Sequence, residues 1–307
     1  MSLVINHNLM AMNSARNLSN SYSSLATSTR RLSSGLRVGT AADDAAGLAI
    51  RELMRADIAS LNQGMRNAND AISMIQTADG ALQVIDEKLI RMKELATQAA
   101  TGTYGSDQRL IIDSEYQAMA SEITRIANAT DFNGIYLLNG NLSSDAGNAA
   151  SWGTDHHGDG LQATGSMKIH FGTGNDSAED YYYIAIGNST ASALGVGNQS
   201  DPAVGGGFSI STQEGAQEAL DAINNAIVSK DKIRASLGSL QNRLENTITN
   251  LSIQAENLQA AESRISDVDV AQEMTEFVRN QILTQTAVAM LAQANQLPQM
   301  AMQLMQG

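Results

Sequence analysis

Apolar residues recur seven apart at the start of the chain: Val4, Ala11, Leu18, Leu25 and Leu32, with Ala15, Tyr22 and Leu36 between them. This spacing predicts a helix that buries one stripe against a partner helix. Farther on, Ile58, Leu61, Met65, Ala68, Ile72 and Ile75 step by threes and fours, and Leu82, Ile85, Leu89, Met92, Ala96 and Ala99 continue the pattern. At about 1.5 Å per residue, one helix over this span would reach roughly 70–80 Å. TGTYGSD at 101–107 breaks it. A third helix is expected behind Ser106 or Asp107 as cap, with Ile112, Tyr116, Met119, Ile123 and Ile126 on one face.

The periodicity then changes. TDFNGIYLLNGNL has two Asn-Gly steps around a short apolar run, which predicts a hairpin. From 141 to 210 the chain is rich in Gly, Ser, Asn and Asp, and within it MKIHFG and YYYIAIG are expected to be strands joined by TGNDSAED. Helix returns at STQEGAQEALDAI, where Ser211 and Glu214 have capping-box spacing. Leu237, Leu240, Leu244, Ile248, Leu251, Ala255 and Leu258 form another seam, and Ser266 with Asp269 repeats the box spacing before a last helix. The fold class is therefore mainly α. Long antiparallel coiled-coil helices come from both chain ends, and a small β-rich insert sits at the tip where the chain turns around. The product is expected to be a rod.

Composition sharpens this picture. Two prolines in 307 residues leave long helices uninterrupted, and 4% aromatics suit narrow seams of Leu, Ile, Met and Ala better than a broad core. There is no cysteine, hence no disulfide and no thiolate chemistry. A net charge of −13 argues against nucleic acid as a partner. The opening MSLVINHNLMAMNSARN lacks the features of a cleaved secretory signal, and no apolar run is long enough to span a bilayer, so no membrane insertion is expected. The chain is expected to be cytoplasmic or exported without a cleaved signal.

Two stretches stand apart. LSSGLRVGTAADDAAGLAI, 32–50, interrupts the first two seams with Gly35, Gly39 and Gly47 and the adjacent acids Asp43 and Asp44. The glycines would permit turns. The acids could cap the second helix or meet an arginine of a neighbouring copy. At the other end no charge follows Arg279, so residues 280–307 form an uncharged amphipathic helix. It is too polar for a membrane, and uncharged polar groups are far cheaper to bury than charges. The surface is suited to burial against protein, in many copies of itself, although packing within its own monomer is also open.

LSSGLRVGTAADDAAGLAI resembles the N-terminal motif of bacterial flagellins, as do VINHN, RNANDAISMIQTADGAL and TDFNGIYLLNG. ESRISDVDVAQEM and ILTQTAVAMLAQANQLPQ are similar to the C-terminal signature of that family. The resemblance covers roughly the first 140 and last 95 residues, and 141–210 match nothing specific. It implies a structural subunit that self-assembles into the helical flagellar filament used for swimming, secreted unfolded by the flagellar type III apparatus. Its partners would be itself, the flagellar cap and hook-junction proteins, a flagellin export chaperone and host Toll-like receptor 5. An inner coiled-coil domain would comprise 1–42 and 268–307, a helical rod 43–140 and 211–267, and a variable insert 141–210. Leu18, Leu25, Leu32, Ile282, Val288 and Leu291 would line the assembly seam. Gly35, Gly39, Asp43, Asp44 and Gly47 would connect the layers.

IRMKELATQAA, 90–100, resembles the flagellin segment recognised by Toll-like receptor 5. Arg91, Glu94, Leu95, Gln98 and Glu115 carry that likeness. Arg91, Leu95 and Gln98 step by four and three and could share a helix face. A solvated Arg–Glu pair over an internal seam would look the same. DHHGDG at 155–160 lacks the ligand spacing of a metal site, and His7 and His170 are isolated. No catalytic constellation, cofactor motif or metal motif is expected, so the chain is not read as an enzyme. Two alternatives to a filament subunit remain open. A hook–filament junction protein would match less well at DDAAG and LAQANQ, and a cytoplasmic coiled-coil adaptor would carry charge in its last helix.

Overall fold

The computed structural model describes residues 8–143, 165–176, 179–197 and 208–306. Five helices and two short hairpins follow one another along these residues. They are α1 (Leu9–Ser34), α2 (Ala45–Ala100), α3 (Ser106–Ala129), β1 (Asp131–Phe132), β2 (Ile135–Tyr136), β3 (Met167–His170), β4 (Tyr181–Ile184), α4 (Gln213–Ser266) and α5 (Val270–Gln306). The chain divides into two compact units, Met1–Ile58 with Ala255–Gly307, and Ala59–Gln254.

In the first unit α1 packs along α5. The pairing is antiparallel, since Asn8 contacts Ala294 while Arg31 lies 3.7 Å from Glu273. The expected pairing of the two chain ends is therefore present. Its seam is unusual, because its buried residues are small or polar: Ser28, Glu273, Thr284 and Ala294.

The second unit holds the conventional core. Ala68, Ile75, Leu82, Ile85, Leu89, Met92, Ala96 and Ala99 of α2 are buried with Ile112, Tyr116 and Ile123 of α3 and Leu237, Leu240 and Leu244 of α4. These are largely the residues that the threes-and-fours pattern picks out. Burial pushes the Tyr116 hydroxyl well above its usual pKa, with Asp113 adding to the effect. Antiparallel α2 and α4 are also tied by ion pairs. Arg234 donates to Asp79 at 2.7 and 3.2 Å, and Lys230, 1% exposed, reaches Asp86 at 2.5 Å and Asp231 at 2.8 Å. Removing one partner of a buried pair strands the other. Asp86 keeps some solvent, so Lys230→Ala is expected to cost about 2 kcal/mol in chemical denaturation.

Both hairpins form where expected. Asp131 pairs with Tyr136 and Phe132 with Ile135 around Asn133 and Gly134, which take φ of 53° and 81°. Positive φ at both central residues is what the tight hairpin turn requires, and Asn-Gly supplies it. Met167–His170 pairs antiparallel with Tyr181–Ile184. The hairpin is seated on α2, where the Asn67 amide donates to the His170 carbonyl at 2.8 Å.

The helix starts differ from expectation by one residue at α3 and α4 and by three at α5. Gly105, not Ser106 or Asp107, is the N-cap of α3, and its N–H donates to Gln108 Oε1 at 3.1 Å. Asp107 lies inside the first turn, where its charge suits the helix dipole. Thr212, not Ser211, accepts the Gly215 N–H that opens α4. Asp269 caps α5 by accepting the Ala271 and Gln272 N–H groups, while Ser266 donates to Asp267 instead. Helix α4 is also continuous through both segments that the sequence presents separately.

Candidate functional site

The surface that needs a partner is on the terminal helices. Leu9 (64%), Met12 and Tyr22 of α1 are exposed, as are Val270 (60%), Met274, Val278, Ile282 (56%), Leu283, Val288 and Met290 of α5. Exposed apolar side chains are spread around α5 and are not gathered into the expected single amphipathic stripe. Apolar side chains exposed on several faces of one helix need more cover than a single α1 gives. Of the seam residues, Leu18, Leu25, Leu32 and Leu291 are half-buried, whereas Ile282 and Val288 face solvent. Apart from Tyr22, sequence periodicity missed the rest of this exposed set, and for Leu283 and Met290 the signal was available in the loss of charge after Arg279. Val4 lies outside the described residues.

The small-residue stretch is built as a clasp. Gly35 ends α1 in the left-handed region, φ 72°, and its N–H closes on the Arg31 carbonyl at 2.8 Å. The next residues pair with the chain leaving α4. Leu36 bridges Asp267, the Arg37 N–H donates to the Ser266 carbonyl at 2.7 Å, and the Val268 N–H donates to the Gly35 carbonyl at 3.0 Å. Arg51 donates to the Val38 carbonyl and lies 3.6 Å from Glu262. This pairing of two connectors far apart in sequence carries no local signal.

Within the stretch Asp44 takes the expected capping role, whereas Asp43 is held by an arginine of its own chain and not of a neighbouring copy. Asp44 accepts the Gly47 N–H at 2.9 Å and caps α2. Asp43 meets Arg30 of its own chain at 2.7 Å and also accepts from the Thr40 hydroxyl and N–H. The Thr40 hydroxyl first, then the Thr40 N–H and Arg30, holds the Asp43 carboxyl below its usual range. The glycines divide likewise. Only Gly35 uses positive φ, so the expectation of turns at Gly39 and Gly47 is corrected. Gly39 donates its N–H to Asp43, and Gly47 is buried inside the first turn of α2 where an added Cβ would collide with the Asp44 carboxylate.

On α2, Arg91 donates to Glu115 of α3 at 2.8 and 3.0 Å and to Glu94 at 3.0 Å. Glu115 first, then Glu94, raises the guanidinium pKa. Arg91, Glu94, Gln98 and Glu115 are exposed, but Leu95 is 2% exposed and belongs to the core. The face therefore presents four of the five residues. DHHGDG and His7 lie outside the described residues. Among the described residues no cluster of three His, Asp or Glu could hold a metal, and no helix is long and apolar enough to cross a membrane.

Comparison with known proteins places this geometry in a family. Residues 5–143 match the bacterial flagellin N-terminal helical region, and residues 220–305 match the bacterial flagellin C-terminal helical region. The flagellar filament 33 kDa core protein of Treponema phagedenis is 41% identical over 99% of this chain and all of that protein. Flagellin of Bacillus subtilis (strain 168) is 42% identical over 98% of this chain and 99% of the relative. A solved structure from Vibrio parahaemolyticus, assigned as a flagellar hook-associated protein, is 16% identical with a TM-score of 0.53. It covers 73% of this chain and all of its own, a likeness of fold alone. Matched at both helical ends and along its whole length, the chain belongs to the bacterial flagellin family.

Proposed function

We propose that this chain is the structural subunit of an extracellular bacterial flagellar filament, and that it polymerises through α1 and α5. The observation that carries the proposal is the set of large apolar side chains exposed on the terminal pair, next to an end with no charge after Arg279. Repeated burial against other copies removes that exposure, and uncharged ends pack together without stranding ions. In this reading 1–42 with 268–307 is the inner domain, 43–140 with 211–267 the rod, and 141–210 the insert. The connector residues Gly35, Gly39, Asp43, Asp44 and Gly47 join inner domain to rod. Purified chain seeded with sheared filament fragments should grow long uniform filaments under the electron microscope. Only monomers or short irregular assemblies would overturn the reading and favour a junction or adaptor protein.

The subunit is exported unfolded by the flagellar type III apparatus, met by an export chaperone inside and by cap and hook-junction proteins at the growing structure. A chain without disulfides is suited to such passage. The monomer is recognised by Toll-like receptor 5 through the exposed Arg91, Glu94, Gln98 and Glu115, with Leu95 holding the face in place from beneath. Two carboxylates orient the Arg91 guanidinium before any partner arrives, which lowers the entropy lost on binding. Arg91→Ala should reduce potency in a receptor reporter assay about tenfold or more. Its melting temperature should barely move, because exposed ion pairs contribute little. Unchanged potency would remove Arg91 from the recognition surface.

A further inference from the structure

Helix α5 contains Pro298. Proline has no N–H, so the carbonyl four residues earlier, that of Ala294, has no donor within the helix. Ala294 is buried, where an unmet carbonyl is costly. The Asn8 side chain meets it: Nδ2 donates to the Ala294 carbonyl at 2.7 Å. The same side chain caps α1, because Oδ1 accepts the Ala11 N–H at 3.0 Å. Ser, Thr and Asp also cap helices, but among the favoured cap residues only Asn carries an acceptor and an amide donor together.

We propose that Asn8 and Pro298 form one positioning device that fixes the axial register of α1 on α5 and so makes the chain competent to polymerise. The inference rests on the assembly reading above. The carbonyls of residues 290–293 are engaged by the helical N–H groups of residues 294–297. The proline thus vacates one carbonyl, and the asparagine has one address at which both ends of its amide are used. A slip of α1 by one residue along α5 would leave the Ala294 carbonyl unmet. Register errors in a repeating assembly are multiplied over every copy.

The test is the critical concentration for seeded growth of the full chain. Asn8→Ser keeps an oxygen for the cap and loses the amide, and is expected to raise that concentration about fivefold. In a Pro298→Ala background the residue at 298 regains its N–H and closes on Ala294 itself. The same Asn8→Ser change should then alter the critical concentration by less than about twofold. Equal effects in the two backgrounds would overturn the device and leave Asn8 a simple cap. Asn8→Asp tests it without touching the proline, since it retains the cap acceptor and the size but cannot donate. Growth of Asn8→Asp at the parent's critical concentration would overturn the proposal as well. Failure of the unsubstituted chain to grow is a separate outcome, which removes the assembly reading together with the device that rests on it.

Discussion

A chain shortened to end at Arg279 does not polymerise at concentrations at which the full chain grows readily, and the core of its second unit melts unchanged. The deleted stretch carries no charge. Its Ile282, Leu283, Val288, Met290 and Met300 are all roughly half exposed. Covering such a half-exposed side chain is worth about 1 kcal/mol. Five of them amount to roughly three to four orders of magnitude in the concentration needed for growth. The deletion also removes much of the helix against which α1 packs. Ala59–Gln254 is a compact unit with its own buried residues, none of them from the deleted stretch. The measurements are seeded growth followed by electron microscopy, and differential scanning calorimetry of the monomer. Growth within tenfold of the parent's critical concentration would show that the drive for assembly lies elsewhere.

What could be read in advance depended on the range of each interaction. Seams along α2, α3 and α4 were legible because helical packing repeats every three or four residues, so Ile75, Leu82, Leu89, Ile123 and Leu244 declare themselves. The Asn133-Gly134 turn was legible because two adjacent residues must both take positive φ. The role of Asp44 was legible for the same local reason, a cap three residues ahead of Gly47. Exact helix starts were not. Ser, Thr and Gly sit side by side at Gly105–Ser106 and Ser211–Thr212, and the choice among them follows from how the chain enters the core. On the terminal pair the heptad pattern found Leu18, Leu25, Leu32 and the exposed Tyr22, but not the other exposed apolar residues around them. A periodic pattern reports the face that meets a partner within the chain and is silent on faces that await another copy. Long-range contacts left no trace, among them the clasp at Leu36 and Asp267, the Lys230–Asp86 pair and the seat of the β3–β4 hairpin on α2.

That seat gives the second large effect. Gly64→Ala is expected to destabilise the second unit by about 2 kcal/mol, although alanine is the better helix former by about 1 kcal/mol. Gly64 is buried in α2, and a Cβ there would collide with the Phe171 carbonyl oxygen and lie 2.7 and 2.9 Å from the Phe171 carbonyl carbon and Cα. The obstacle is backbone, so no rotamer change relieves it. Phe171 is held in place from several sides. Its N–H donates to the Asp180 carbonyl at 2.9 Å, its ring packs 4.8 Å from that of Tyr182, and Tyr182 in turn stacks under Arg243 at 4.2 Å. To admit a methyl group the strand must withdraw, and it then loses the Asn67 bond to the His170 carbonyl as well. An isolated hairpin is marginal in water and depends on the helix beneath it. Gly80 of α2 and Gly238 of α4 are the controls, since a Cβ at either meets open space. Their alanine variants should gain up to about 1 kcal/mol. The sign therefore decides: thermal melting should fall for Gly64→Ala by about 4–8 °C and rise slightly for the other two. A rise at Gly64 to match the controls would mean that the hairpin does not rest on α2.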